Sequence, residues 1–188
     1  MWFGTSQKYV FKILILGDTG VGKTSLVIRA VRGYFPDPET LKSTIGAAFF
    51  TMRYRIQRDL ITAQIWDFAG QERFRSFMKN MFSGSSGGLF VFDLTNALSL
   101  DDLKNFWIPE IIRKIRADFF DVFKNNFILV GNKSDLKKQI EVTKDEIAKL
   151  VRQYGFKYFS ASAKTGDNVS AIFKELIRMI YISPYKAI

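Results

Sequence analysis

A chain of 188 residues, 47% hydrophobic and 24% charged, falls in ordinary globular usage and has room for one domain with a sizeable core. Its formal charge of +10 admits an anionic partner. The basic residues are dispersed, however (Arg29/Arg32, Arg53/Arg55/Arg58, Arg113/Lys114/Arg116, Lys137/Lys138), so a solvated basic surface is expected and nucleic-acid binding is not. Cysteine and histidine are absent, which excludes disulfide, thiolate and imidazole chemistry. No apolar segment approaches the ~18 residues of a membrane span, and Met1-Trp2-Phe3-Gly4 lacks the flank and cleavage site of a secretory signal.

The first element is an apolar run, Val10 to Leu16, interrupted only by Lys12. It reads as a buried strand. Gly17-Asp18-Thr19-Gly20-Val21-Gly22-Lys23-Thr24 follows and fits the phosphate-binding pattern G-x-x-x-x-G-K-[ST] at every fixed position, with helical spacing over Ser25 to Val31. Glycines let successive N–H groups point into one concavity, and the helix N-terminus adds partial positive charge. Thr19, Gly20, Val21, Gly22, Lys23, Thr24 and Ser25 are therefore expected around phosphates. The Lys23 ammonium would reach the outer ones and the Thr24 hydroxyl would ligate Mg²⁺.

Residues 46–57 and 61–67 read as an antiparallel hairpin turning around Arg58-Asp59. Its second strand ends in Trp66-Asp67-Phe68-Ala69-Gly70-Gln71-Glu72. Asp67 is placed to hold Mg²⁺ through a water, Gly70 to bring its N–H to a γ-phosphate, and Gln71 to orient an attacking water. Gln71, Lys23 and Gly70 are thus the candidate catalytic groups.

Beyond the hairpin the pattern alternates. Apolar runs at 88–94 and 127–131, and a weaker one at Tyr158-Phe159, suit parallel strands buried on both faces. Helices begin at two capping-box signatures, Ser99 with Asp102 and Thr143 with Glu146. Val169, Ile172, Phe173, Leu176 and Ile180 share one face of a last helix. Asn132-Lys133-Ser134-Asp135 follows the 127–131 strand directly. A carboxylate at Asp135 can accept from both N1–H and the exocyclic amine of guanine, a donor pair that adenine does not present. Asn132 can hold the loop and face the other edge of the base, and the Lys133 stem can cover its plane. After the 158–159 strand comes Ser162-Ala163-Lys164, where the Ala163 N–H could donate to the guanine carbonyl and Lys164 could pack beside the base.

With these motifs in this order, the chain resembles the small GTPases of the Ras superfamily, and within it the Rab branch, over about residues 9–180. Ser43-Thr44-Ile45-Gly46-Ala47-Ala48-Phe49, Trp66-Asp67 and Gly70-Gln71-Glu72-Arg73-Phe74 carry the Rab-like likeness. The resemblance implies a P-loop NTPase small G domain over 1–188, an α/β fold with a mostly parallel six-stranded sheet, one antiparallel strand and helices on both faces. It implies that Thr44 closes switch I (about 36–49) on Mg²⁺ and γ-phosphate, that 68–82 form switch II, and that Phe35 packs edge-on against guanine. It also implies an effector surface of Phe49, Trp66 and, at the third position, Met81.

The expected function is a GTP/GDP switch with slow GTP hydrolysis, in membrane traffic. Exchange factor, activating protein and effectors are the partners of a monomeric, cytoplasmic chain that visits membranes peripherally. The competing reading is a GTP/GDP-binding interaction module without useful turnover. It is motivated by a longer spacing between Phe35 and Thr44 than is usual in the family, and by Phe68 where threonine is usual. A P-loop kinase or adenine-nucleotide ATPase is opposed by Asn132, Lys133 and Asp135. Relatives carry prenylated cysteines in a C-terminal tail; this sequence, ending Tyr185-Lys186-Ala187-Ile188, holds no cysteine to modify.

Overall fold

A computed structural model describes residues 6–37, 44, 46–70, 81–114 and 124–184. Strand β1 (Lys8–Leu16) leads through the glycine loop into helix α1 (Lys23–Arg32). The hairpin β2 (Ala47–Ile56) and β3 (Asp59–Phe68) follows, then β4 (Gly87–Asp93). Helix α2 (Ala97–Asp102) passes through a π-helical turn, Leu103–Trp107, into α3 (Ile108–Lys114). Strand β5 (Phe127–Asn132), helix α4 (Lys144–Tyr154), strand β6 (Lys157–Ser160) and helix α5 (Val169–Ile182) complete the described strands and α-helices.

The strands form one sheet in the order β2-β3-β1-β4-β5-β6. Only the β2–β3 pair is antiparallel. This is the expected six-stranded, mostly parallel sheet. Strands β4 and β5 are buried at every residue, as their unbroken apolar runs require when both faces are covered.

The period of two along β1 divides the core. Ile13 and Ile15 pack with Val27 of α1 and Phe173 and Leu176 of α5, whereas Leu14 and Leu16 pack with Phe90, Phe92, Trp107 and Leu150 on the opposite face. On α5 all five expected positions, Val169, Ile172, Phe173, Leu176 and Ile180, are buried, each contributing about 1.5–3 kcal/mol of transfer free energy. Phe68, unusual for the family, belongs to the second core. Its ring lies fully buried 5.9 Å from that of Phe82 and 6.3 Å from that of Trp66.

Two local expectations need correction. The Ser99–Asp102 capping box is not formed. Asn96 caps α2 one turn earlier, its Oδ1 accepting from the Leu98 N–H at 3.1 Å. Ser99 is instead buried, with Oγ accepting from the Asp93 N–H at 2.9 Å and donating to the Asn96 carbonyl at 2.7 Å. The short Asn96 side chain reaches the first free amides, so Ser99 is left to satisfy the end of β4.

The hairpin turn falls on Gln57-Arg58, with Gln57 at φ 54° and Ile56 paired to Asp59. Asp59 is a strand residue because its carboxylate is occupied, accepting from the Gln7 N–H at 2.9 Å and the Tyr181 hydroxyl at 2.8 Å. The Thr143–Glu146 box does form, each side chain accepting from the other residue's backbone N–H.

Candidate functional site

Parallel strands aim their carboxyl ends at one rim of the sheet, where α/β folds bind ligands. The glycine loop leaves β1 there, Asp67 and Gly70 leave β3, Asn132 ends β5, and Ser162 to Lys164 follow β6. Lys23 is buried, and its ammonium donates to the Gly17 and Asp18 carbonyls at 2.8 and 2.6 Å. A cation is thus held at the mouth of the loop.

Three oxygens meet beside it. Thr24 Oγ1 donates to Asp67 Oδ2 at 2.5 Å and lies 2.9 Å from Thr44 Oγ1. A hydroxyl has one proton, so Thr44 is the donor to Thr24. The Asp67 carboxyl is fully buried and its Oδ1 has no hydrogen-bond partner. Burial lifts its pKa to about 6, opposed by the Thr24 hydrogen bond and the Lys23 charge. Such a carboxyl gains on ionising next to a cation.

Gly70 is pressed against the same loop. A Cβ there would lie 2.2 Å from the Thr19 nitrogen and 2.3 Å from the Asp18 carbonyl carbon, so only glycine permits this approach. Gln71 lies outside the described residues, as do 38–43, 45 and 72–80 of the two switch segments.

A cavity of about 350 Å³ opens beside the phosphate loop, bounded by Gly20, Phe35, Lys133, Asp135, Ala163 and Lys164. Asp135 Oδ1 accepts from Ser162 Oγ at 2.6 Å, and Ser162 Oγ accepts from the Thr165 N–H at 3.1 Å, which fixes the carboxylate at the cavity wall. Asn132 is buried and spends its amide on the protein. Nδ2 donates to the Val21 carbonyl at 2.8 Å, and Oδ1 accepts from the Ala163 N–H at 3.1 Å. It therefore ties the phosphate loop to the loop of Ser162 to Lys164, and the Ala163 N–H expected for a base carbonyl is held by Asn132. Lys133 adopts φ 65° and pairs with Asp93 at 2.6 Å.

The three expected surface residues also come together. Phe49 is 60% exposed, with its ring edge-on to Trp66 at 4.5 Å. The Lys12 ammonium sits 4.1 Å from the Trp66 ring centroid and donates to the Met81 and Ser83 carbonyls at 2.6 and 2.8 Å. Burial lowers the Lys12 pKa. Lys12 thus links β1, β3 and the chain at Met81. Its signal in the sequence was a lone cation inside an apolar strand, and that of Asp93 a carboxylate closing the run at 88–94.

The Ras family model matches residues 12–182. The chain is 39% identical over 176 residues to Ras-related protein Rab-39A of Homo sapiens, covering 92% of this chain and 78% of that protein. It is 39% identical over 172 residues to Ras-related protein Rab-8B of Bos taurus, covering 92% and 79%. Ras-related protein Rab-1 of Theileria parva is 37% identical over 172 residues, covering 92% and 74%. The glycine loop agrees with the matches along almost the whole chain: the chain belongs to the Ras family as a Rab-like small GTPase, an enzyme that hydrolyses GTP to GDP.

Proposed function

We propose that the chain works as one G domain over residues 1–188, a Mg²⁺-dependent switch whose switch I (36–49) and switch II (68–82) report the γ-phosphate, in membrane traffic. The observation that carries this reading is the convergence of two distant segments on the phosphate loop. Thr44 reaches it through Thr24, and Gly70 abuts Thr19. The segments are also bonded to each other, the Ala69 N–H donating to the Gly46 carbonyl at 2.9 Å. A ligand that differs by one phosphate at this point therefore acts on both together.

In the proposed chemistry, Lys23 transfers its hydrogen bonds from the Gly17 and Asp18 carbonyls to the outer phosphates, and the amides from Thr19 to Ser25 cradle the chain of phosphates. The residues fit a metal. The unpartnered Asp67 Oδ1 is buried beside two hydroxyls, so Thr24 and Thr44 would hold Mg²⁺ directly and Asp67 through a water. When bound, the ion supplies neutralisation of charge on the outer phosphates. The Gly70 N–H faces the γ-phosphate and Gln71, next in the chain, orients the attacking water. At the base, Asp135 reads N1–H and the amine, Phe35 packs edge-on, the Lys133 stem covers the plane, and Ala163 and Lys164 close the carbonyl side.

An exchange factor and an activating protein set the nucleotide state, and effectors read Phe49, Trp66 and Met81. Among the described residues no helix is long and apolar enough to cross a membrane. The charge of +10 supports reversible, salt-sensitive contact with anionic lipid.

Gly70→Ala tests the reading. The added carbon cannot share space with the Thr19 and Asp18 backbone. GTP binding is expected to persist while phosphate release in a single turnover slows about 10²-fold, the scale of losing one donor to the transition state. Unchanged release would remove the role given to this contact.

A further inference from the structure

Arg29 lies on α1, outside the phosphate loop and away from the cavity wall. Its guanidinium nevertheless joins the two sides of the cavity. One amine donates to the Gly33 carbonyl at 2.9 Å and the other to the carbonyl of Lys164, 135 residues from Arg29 in the chain, at 2.6 Å. Gly33 is the C-cap of α1, two residues before Phe35; Lys164 bounds the cavity opposite. Arg29 Nε is enclosed and without a hydrogen-bond partner, so the group is committed to this place at a desolvation cost. The loop that follows β6 is shaped around it. Gly166 runs at φ +89°, and a Cβ there would lie 3.1–3.4 Å from the guanidinium.

From this geometry we infer that Arg29 is a positioning residue that sets how long guanine nucleotide stays bound. It holds the segment bearing Phe35 and the loop bearing Ala163 and Lys164 at a fixed separation, and both must move apart for the base to leave. The planar fork of arginine reaches the two carbonyls from two separate amines, whereas a lysine must direct both donors from one compact nitrogen and so holds the bridge less well. The inference rests on the guanine reading of the cavity, since only a base seated there makes the separation of its walls a determinant of release.

The test is the release rate of fluorescent GDP from the parent chain, Arg29→Met and Arg29→Lys, each with a single-turnover GTP hydrolysis measurement and a melting curve. Arg29→Met is expected to speed GDP release about tenfold, the effect of losing one charge-assisted hydrogen bond. Arg29→Lys should fall between. The change is expected in release and not in the hydrolysis rate constant of bound GTP, a split that general loosening of the fold would not produce. Equal release from all three proteins, or release and hydrolysis altered by the same factor, would overturn the proposal. If Arg29→Met does not fold, Arg29→Lys decides the matter by the same comparison. Should the parent chain bind ADP as tightly as GDP, the guanine reading fails, a result that the release comparison alone cannot give.

Discussion

Asp135→Asn is expected to weaken GDP binding by at least about 100-fold, in line with two hydrogen bonds to a charged acceptor at roughly 1.5–3 kcal/mol each. The same change should create affinity for xanthosine diphosphate. Ser162 Oγ holds Oδ1 of residue 135 at 2.6 Å, so in the asparagine variant Oδ1 stays on Ser162 and Nδ2 turns to the cavity. Guanine presents an amine to that Nδ2, donor against donor, and both groups lose their partners. Xanthine presents a carbonyl at the same position and accepts. Sites built on buried hydrogen bonds discriminate in this steep way. Competition of GDP, XDP and ADP against a fluorescent nucleotide reads the result. An asparagine variant that still prefers GDP would mean that Asp135 does not read the base.

Gln71→Leu should lower single-turnover GTP hydrolysis by about 10²-fold, the cost of removing one group that acts in the transition state. GTP affinity should stay within about threefold, because an interaction made only in the transition state contributes little to ground-state binding. The argument comes from the neighbouring residue. Gly70 is fixed against Thr19 by the absence of a Cβ, so the chain leaves that contact at Gln71. Leucine keeps the bulk and removes both polar ends of the amide. A quench-flow or phosphate-sensor experiment on preloaded protein measures the rate, and equal rates in the two proteins would withdraw the assignment.

The elements that the sequence announced most clearly are those whose chemistry is local or periodic. Strands β4 and β5 are buried at every residue and appear as unbroken apolar runs. Helix α5 shows its buried face as a 3.6-residue repeat, and Thr143 with Glu146 forms the box its spacing spells. Ser99 and Asp102 matched the same spacing and failed, because Asn96 offered a shorter path to the free amides and the end of β4 needed the Ser99 hydroxyl.

Long-range partnerships were not legible. Lys12 looked like an interruption of β1, and its role depends on carbonyls at Met81 and Ser83 that no local pattern connects to it. Asn132 was named as a base-loop residue, but only folding shows both ends of its amide spent on Val21 and Ala163. Arg29 read as one more dispersed cation, since its acceptors are backbone carbonyls and carry no residue signature. Phe68, read as a motive for a module without useful turnover, is a core residue between Trp66 and Phe82. It is a change in packing that leaves Asp67 and Gly70 at the phosphate loop.

The central claim is that residues 36–49 and 68–82 answer together to one phosphate. Hydrogen exchange of the full chain, loaded in turn with GDP and with a non-hydrolysable GTP analogue in Mg²⁺, measures this directly. The account predicts slower exchange of both segments in the triphosphate state, with β4, β5 and α5 unchanged. Exchange that is the same in the two states, or protection confined to one segment, would contradict it.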